Sequence, residues 1–134
     1  MATSRIPPQL LRSPLGRAVG LGSAKEGVDH WWRLRITSIA LVPLCLWFVV
    51  VVIRLAGADL DAFYGWLGHP IPAIVMMLLV LATFYHSALG LQVVIEDYVH
   101  AEPVKFGLLI FMRLACFALA VAGVFATLRI ALGT

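Results

Sequence analysis

The chain has 134 residues, 62% of them hydrophobic and only 13% charged. A soluble globular domain holds roughly 25% charged and about 45 to 50% apolar residues, so the composition excludes an ordinary soluble domain and points to lipid as the solvent. The formal charge of +3 comes from Arg and Lys gathered toward one end instead of spread over a solvated face, which argues against nucleic acid as a partner and reads as an orientation signal across a membrane.

In chain order, residues 1–30 are rich in Pro, Gly, Ser and Arg (Pro7, Pro8, Pro14, Gly16, Gly20, Gly22), the composition of an irregular arm. The arm lacks an apolar core and a small-residue cleavage site, so it does not read as a secretory signal; a short mitochondrial presequence stays open as an alternative. The first predicted span covers Ile36 to Ala56, with Pro43 inside it expected to bend it and Arg54 at its far end. A predicted loop from Gly57 to Pro70 carries two acids, and its Tyr64 and Trp66 suit the aromatic belt at a membrane surface. The second predicted span runs from Ile71 to Ile95 and is closed by Glu96 and Asp97. Pro103 is placed to open the third, from Phe106 to Leu132, which contains Arg113 and Arg129. Cys45 and Cys116 sit inside spans without CxxC spacing and read as small packing residues.

The expected fold is therefore an all-α integral membrane protein with three transmembrane helices, divided into an N-terminal arm (1–35) and a three-helix anchor domain (36–134). Arg5, Arg12, Arg17, Lys25, Arg33 and Arg35 precede the first span, opposed only by Glu26 and Asp29, while Arg54 alone marks the next loop. By the positive-inside rule the N-terminus and the 96–105 loop should be cytoplasmic and the C-terminus periplasmic.

One residue inside the second span calls for a partner. An unsatisfied imidazole is expensive in lipid, and His86 lies deep in an apolar run. At about 100° per residue, Leu79, Ala82, Gly90, Val93 and Asp97 fall within about 40° of it on one helical stripe. Ala82 and Gly90 stand one turn to either side, leaving a slot wide enough for a flat macrocycle to approach the backbone. Haem ligation is one reading. A proton-relay histidine is a second, with Asp97 about 16 Å further along the helix as its sole companion on the stripe. A plain hydrogen bond between closely packed helices is the third. If His86 binds haem, the second axial ligand must come from another subunit, because His69 lies in the outer loop and His30 and His100 at the cytoplasmic edge.

The spacing His86-x3-Gly90-x6-Asp97-Tyr98, inside the second of three spans, resembles the small hydrophobic anchor of succinate dehydrogenase, respiratory Complex II. The stretch GSAKEGVDHWWRLRITSIALVPL, residues 22–44, is similar to the segment that leads into the first span of that subunit in proteobacteria. The resemblance implies that His86 is an axial ligand of haem b, shared with a histidine of the larger cytochrome b anchor subunit. It implies that Tyr98 hydrogen-bonds a ubiquinone carbonyl oxygen with Asp97 as its companion, and that Arg35, with His30 nearby, approaches a haem propionate. It further implies an iron–sulfur subunit and a flavoprotein as partners, FAD and iron–sulfur clusters on those subunits, and a bacterial inner membrane as the location. Arg113, about 10 Å inside the third span, is expected to snorkel outward or to meet a haem propionate or an acid on a neighbouring helix. The function expected on this resemblance is the membrane anchor of a succinate:ubiquinone oxidoreductase. A fumarate reductase anchor run in the quinol-oxidising direction is the alternative within the same architecture, and a non-catalytic three-span scaffold or transport subunit is the alternative outside it.

Overall fold

The computed structural model describes the backbone of residues 23–133 and the side chains of residues 27–133. The chain divides into two compact units, Met1–Arg33 and Leu34–Thr134. Arg5, Arg12, Arg17 and the side chain of Lys25 lie outside the described residues. Among those described, the structure is entirely helical: α1 (Ser23–Leu55), α2 (Leu60–Leu67), α3 (Pro70–Tyr98) and α4 (Glu102–Leu132). Gly27–Leu55 of α1, together with α3 and α4, is long and apolar enough to cross a membrane, which makes this a multi-pass membrane protein.

Helix α1 begins well before the predicted span, so residues 23–30 are helical where an irregular arm was expected. The dense run of glycine and proline ends at Gly22, after which α1 contains only Gly27 and Pro43. From Ser23 onward Ala24, Lys25 and Glu26 are residue types that favour helix. Pro43 lies inside α1. In the second unit, Leu34, Thr37, Leu41, Leu44, Trp47, Val51 and Leu55 form a half-buried or buried stripe in steps of three or four residues.

The segment expected to be a loop contains a helix of its own, α2. Gly57 adopts φ 84°, a left-handed conformation that suits a residue without Cβ and lets the chain leave α1. Asp59 then caps α2 by accepting the Ala62 amide at 2.9 Å. Leu60, Phe63, Tyr64 and Leu67 share one face of α2, and Leu67 is buried. Gly68 ends it, its amide donating to the Tyr64 carbonyl at 2.9 Å.

Proline opens both later spans: Pro70 stands at the first position of α3 and Pro103 in the first turn of α4, where the missing amide hydrogen costs no helical bond. Helices α3 and α4 form an antiparallel hairpin packed along its length. The two helices come close at Gly123, where a Cβ would stand 2.8 Å from Cγ1 of Val80. Ala73, Leu79 and Leu89 of α3, and Met112, Ala120 and Thr127 of α4, are buried. The Thr127 hydroxyl is satisfied within its own helix, donating to the Gly123 carbonyl at 2.9 Å. Most other long apolar side chains face outward, among them Phe111, Phe117 and Phe125 of α4. Such a surface belongs in lipid or against further helices.

Candidate functional site

His86 is half-buried near the middle of α3. Its Nδ1 lies 2.9 Å from Oγ1 of Thr37, across 49 residues of sequence and on a different span. The Thr37 hydroxyl also donates to the Leu34 carbonyl at 3.0 Å, and Ser38 donates to the same carbonyl at 2.8 Å. No hydrogen bond to Nε2 of His86 is formed among the described residues. One turn further on, nothing lies within 4 Å of the place a Cβ would take on Gly90. One turn back stands Ala82, also half-buried. The expected slot is thus open on the Gly90 side, and one imidazole nitrogen is held while the other has no hydrogen-bond partner among the described residues. That arrangement fits a flat group ligated through Nε2.

Asp97 and Tyr98 occupy the last turn of α3, both exposed, with Tyr98 at 80%. They lie about 16 Å or more along the helix from His86 by helical rise, so the structure does not bring the two sets together on this chain. As exposed polar groups at the end of a span they suit a pocket whose remaining walls come from elsewhere. Arg35 is exposed on α1 and is engaged by neighbouring groups. His30 belongs to the first unit, and its Nε2 is buried without a hydrogen-bond partner among the described residues.

Gln92 is a polar residue that sequence reasoning missed. Its carbonyl oxygen accepts from Nη2 of Arg113 at 2.9 Å, and its amide donates to Glu96 at 2.8 Å. Arg113 therefore meets the neighbouring helix through a neutral amide that passes on to an acid. A signal was present in the sequence: Gln92 and Glu96 are four residues apart, the spacing at which side chains meet on one helical face.

At the other end of the spans the character changes. Trp47 of α1 meets Trp66 of α2 with ring centroids 5.7 Å apart, and Phe63 lies 6.3 Å from Trp66. A cleft of about 760 Å³ opens there between α2 and the end of α4, lined by Tyr64, Gly68, Arg129 and Ile130 among others. Cys45 and Cys116 are free thiols. Among the described residues no group of three or more His, Cys, Asp or Glu gathers as a metal site.

The family model for the succinate dehydrogenase/fumarate reductase transmembrane subunit matches residues 9–120. The chain belongs to that family. Similar curated proteins include the succinate dehydrogenase hydrophobic membrane anchor subunit of Rickettsia bellii, 36% identical over 77% of this chain and 82% of the relative. The subunit of the same name from Paracoccus denitrificans is 33% identical over 90% of this chain and 93% of its own length. A succinate dehydrogenase membrane anchor subunit of Reclinomonas americana is 30% identical over 60% of this chain. No solved structure matches the chain with significance. Family membership makes this a membrane anchor subunit of an oxidoreductase complex, with the other subunits of that complex as its partners.

Proposed function

We propose that the chain anchors a succinate:ubiquinone oxidoreductase in a bacterial inner membrane, holds one side of a haem b through His86, and completes the ubiquinone-reduction site with Tyr98 and Asp97. The N-terminus is cytoplasmic in this reading, on the side where a flavoprotein and an iron–sulfur subunit dock. The observation that carries it is the presentation of His86: Nδ1 engaged by Thr37 at 2.9 Å and the helix face at Gly90 open. A histidine of the larger cytochrome b anchor subunit would supply the other ligand.

Bound haem would supply a one-electron redox centre inside the membrane. The residues of this chain bind and orient. Arg35 carries a permanent guanidinium charge at the start of the spans, suited to a propionate, and His30 adds a donor nearby in sequence. Tyr98 can donate its phenolic hydrogen to a quinone oxygen, which polarises that oxygen toward reduction. Asp97, adjacent and exposed, can hand a proton to the reduced oxygen and be recharged from water. The apolar walls of the spans exclude water from the rest of the pathway.

The test is a dithionite-reduced minus oxidised visible spectrum of the whole complex, purified through a tag on this chain, for wild type and His86→Ala. A b-type signal that is lost or displaced in the variant is the expected result. A wild-type complex without such a signal removes the ligand role, and succinate–quinone activity then separates a haemless quinone-reactive anchor from a plain scaffold.

A further inference from the structure

We infer that Thr37 is a positioning residue that fixes the tautomer of His86, placing the ring hydrogen on Nδ1 and keeping the lone pair of Nε2 for the metal; this rests on the proposed haem role of His86. Thr37 has one hydroxyl hydrogen and two acceptor lone pairs. The hydrogen is directed to the Leu34 carbonyl of its own helix at 3.0 Å, so the oxygen faces His86, 2.9 Å away, as an acceptor. A neutral imidazole carries a single N–H, and opposite an acceptor that hydrogen belongs on Nδ1. Nε2 is then bare.

Three features make the arrangement more than a link between helices. First, the bond joins α1 to α3 at the one histidine of the central span, while α3 is held chiefly against α4. Second, the Leu34 carbonyl that orients the Thr37 hydroxyl also accepts from Ser38 at 2.8 Å, so the local backbone holds both hydroxyls turned inward on their own helix. Third, Nδ1 is held while Nε2 takes no hydrogen bond among the described residues, the usual division of labour in a histidine that ligates a metal through its other nitrogen. A hydrogen bond from Nδ1 also makes the imidazole a stronger electron donor, which favours ferric iron and lowers the haem potential.

The experiment uses the intact complex with wild type, Thr37→Val, Thr37→Ala, Thr37→Ser and His86→Ala. Three quantities are read: haem per flavin, the low-spin haem electron paramagnetic resonance spectrum, and the haem midpoint potential. Val keeps the shape of Thr without the oxygen, Ala removes the oxygen with less bulk, and Ser keeps the hydroxyl. The expected result is an upward shift of the potential with altered g-values in the Val and Ala variants, and a return toward wild type in Ser. Unchanged spectra and potential in both oxygen-free variants, with haem lost in His86→Ala, would overturn the positioning role and leave His86 as the ligand. Failure of both oxygen-free variants to assemble, with Ser normal, would assign the hydroxyl to holding the helices and overturn it as well. A b-haem signal unchanged in His86→Ala would remove the ligand reading itself.

Discussion

Helix α3 meets α4 and α1 by different means. Against α4 the contact is close and mostly apolar: Gly123 admits Val80 so tightly that any side chain there would collide, and a line of small and medium residues is buried between the helices. Against α1 a polar contact, the Thr37–His86 pair, joins the two helices, and the aromatic contact of α1 is with α2 through Trp47 and Trp66. Lipid offers no hydrophobic drive to bring helices together, so association depends on van der Waals fit or on polar groups that meet. The α3–α4 hairpin uses the first for stability. The α1 contact uses the second and spends it on a residue that proposed chemistry needs.

The sharpest way to break the hairpin side is Gly123→Leu. Its Cβ alone would stand 2.8 Å from Val80 Cγ1, and overpacking of this kind costs about 1 to 3 kcal/mol. Loss of most assembled complex on a native gel is expected, with partial recovery when Val80→Ala is added; full assembly of the single variant would show that the hairpin is looser than described. Next comes a change that touches neither neighbour. Tyr98→Phe should lower succinate–quinone reductase activity about tenfold, the worth of one hydrogen bond of about 1 to 1.5 kcal/mol, while haem content and succinate oxidation by artificial acceptors stay near wild type. Equal loss of all three would move Tyr98 from the quinone site to assembly.

A smaller effect tests the polar part of the hairpin. Arg113→Leu removes the donor to Gln92 and should lower the thermal stability of the detergent-solubilised complex by about 1 kcal/mol, since the group is exposed and screened. Arg113→Lys should recover part of it, and a Leu variant as stable as wild type would mean that the Gln92 contact carries no weight. The smallest change is Trp47→Leu on the α1 side. It keeps apolar bulk and loses the ring contact, for which about 0.5 to 1 kcal/mol is expected. Proteolysis of the loop between α1 and α2 reports it directly, and an unchanged cleavage rate would show that the aromatic pair does not hold that end.

Much of this was legible in the sequence. The three spans follow from apolar length alone, and the opening of α4 follows from Pro103. Helix α2 was missed because Gly65 and the glycine and proline on its flanks outweighed a real N-cap at Asp59 and apolar residues three and four apart. The start of α1 was missed because the arm was weighed as a whole, although its dense run of glycine and proline stops at Gly22. At the site, the stripe around His86 was readable from helical periodicity, including the open face at Gly90. Its partner was not. Thr37 stood inside the 22–44 stretch that carries the resemblance without a role, and Gln92 went unremarked beside Arg113, because a meeting across helices depends on crossing angle and relative height. Periodicity within one helix contains neither.

The paired hydroxyls of α1 also bear on the order in which the protein is made. Thr37 leaves the ribosome 49 residues ahead of His86, so for a time α1 must lie in the bilayer with no imidazole to meet. A free hydroxyl hydrogen there would be costly. Because Thr37 and Ser38 both donate to the Leu34 carbonyl of their own helix, that cost is already met. The helix can wait in lipid with both hydroxyl hydrogens placed, ready for the imidazole that arrives when α3 is threaded in.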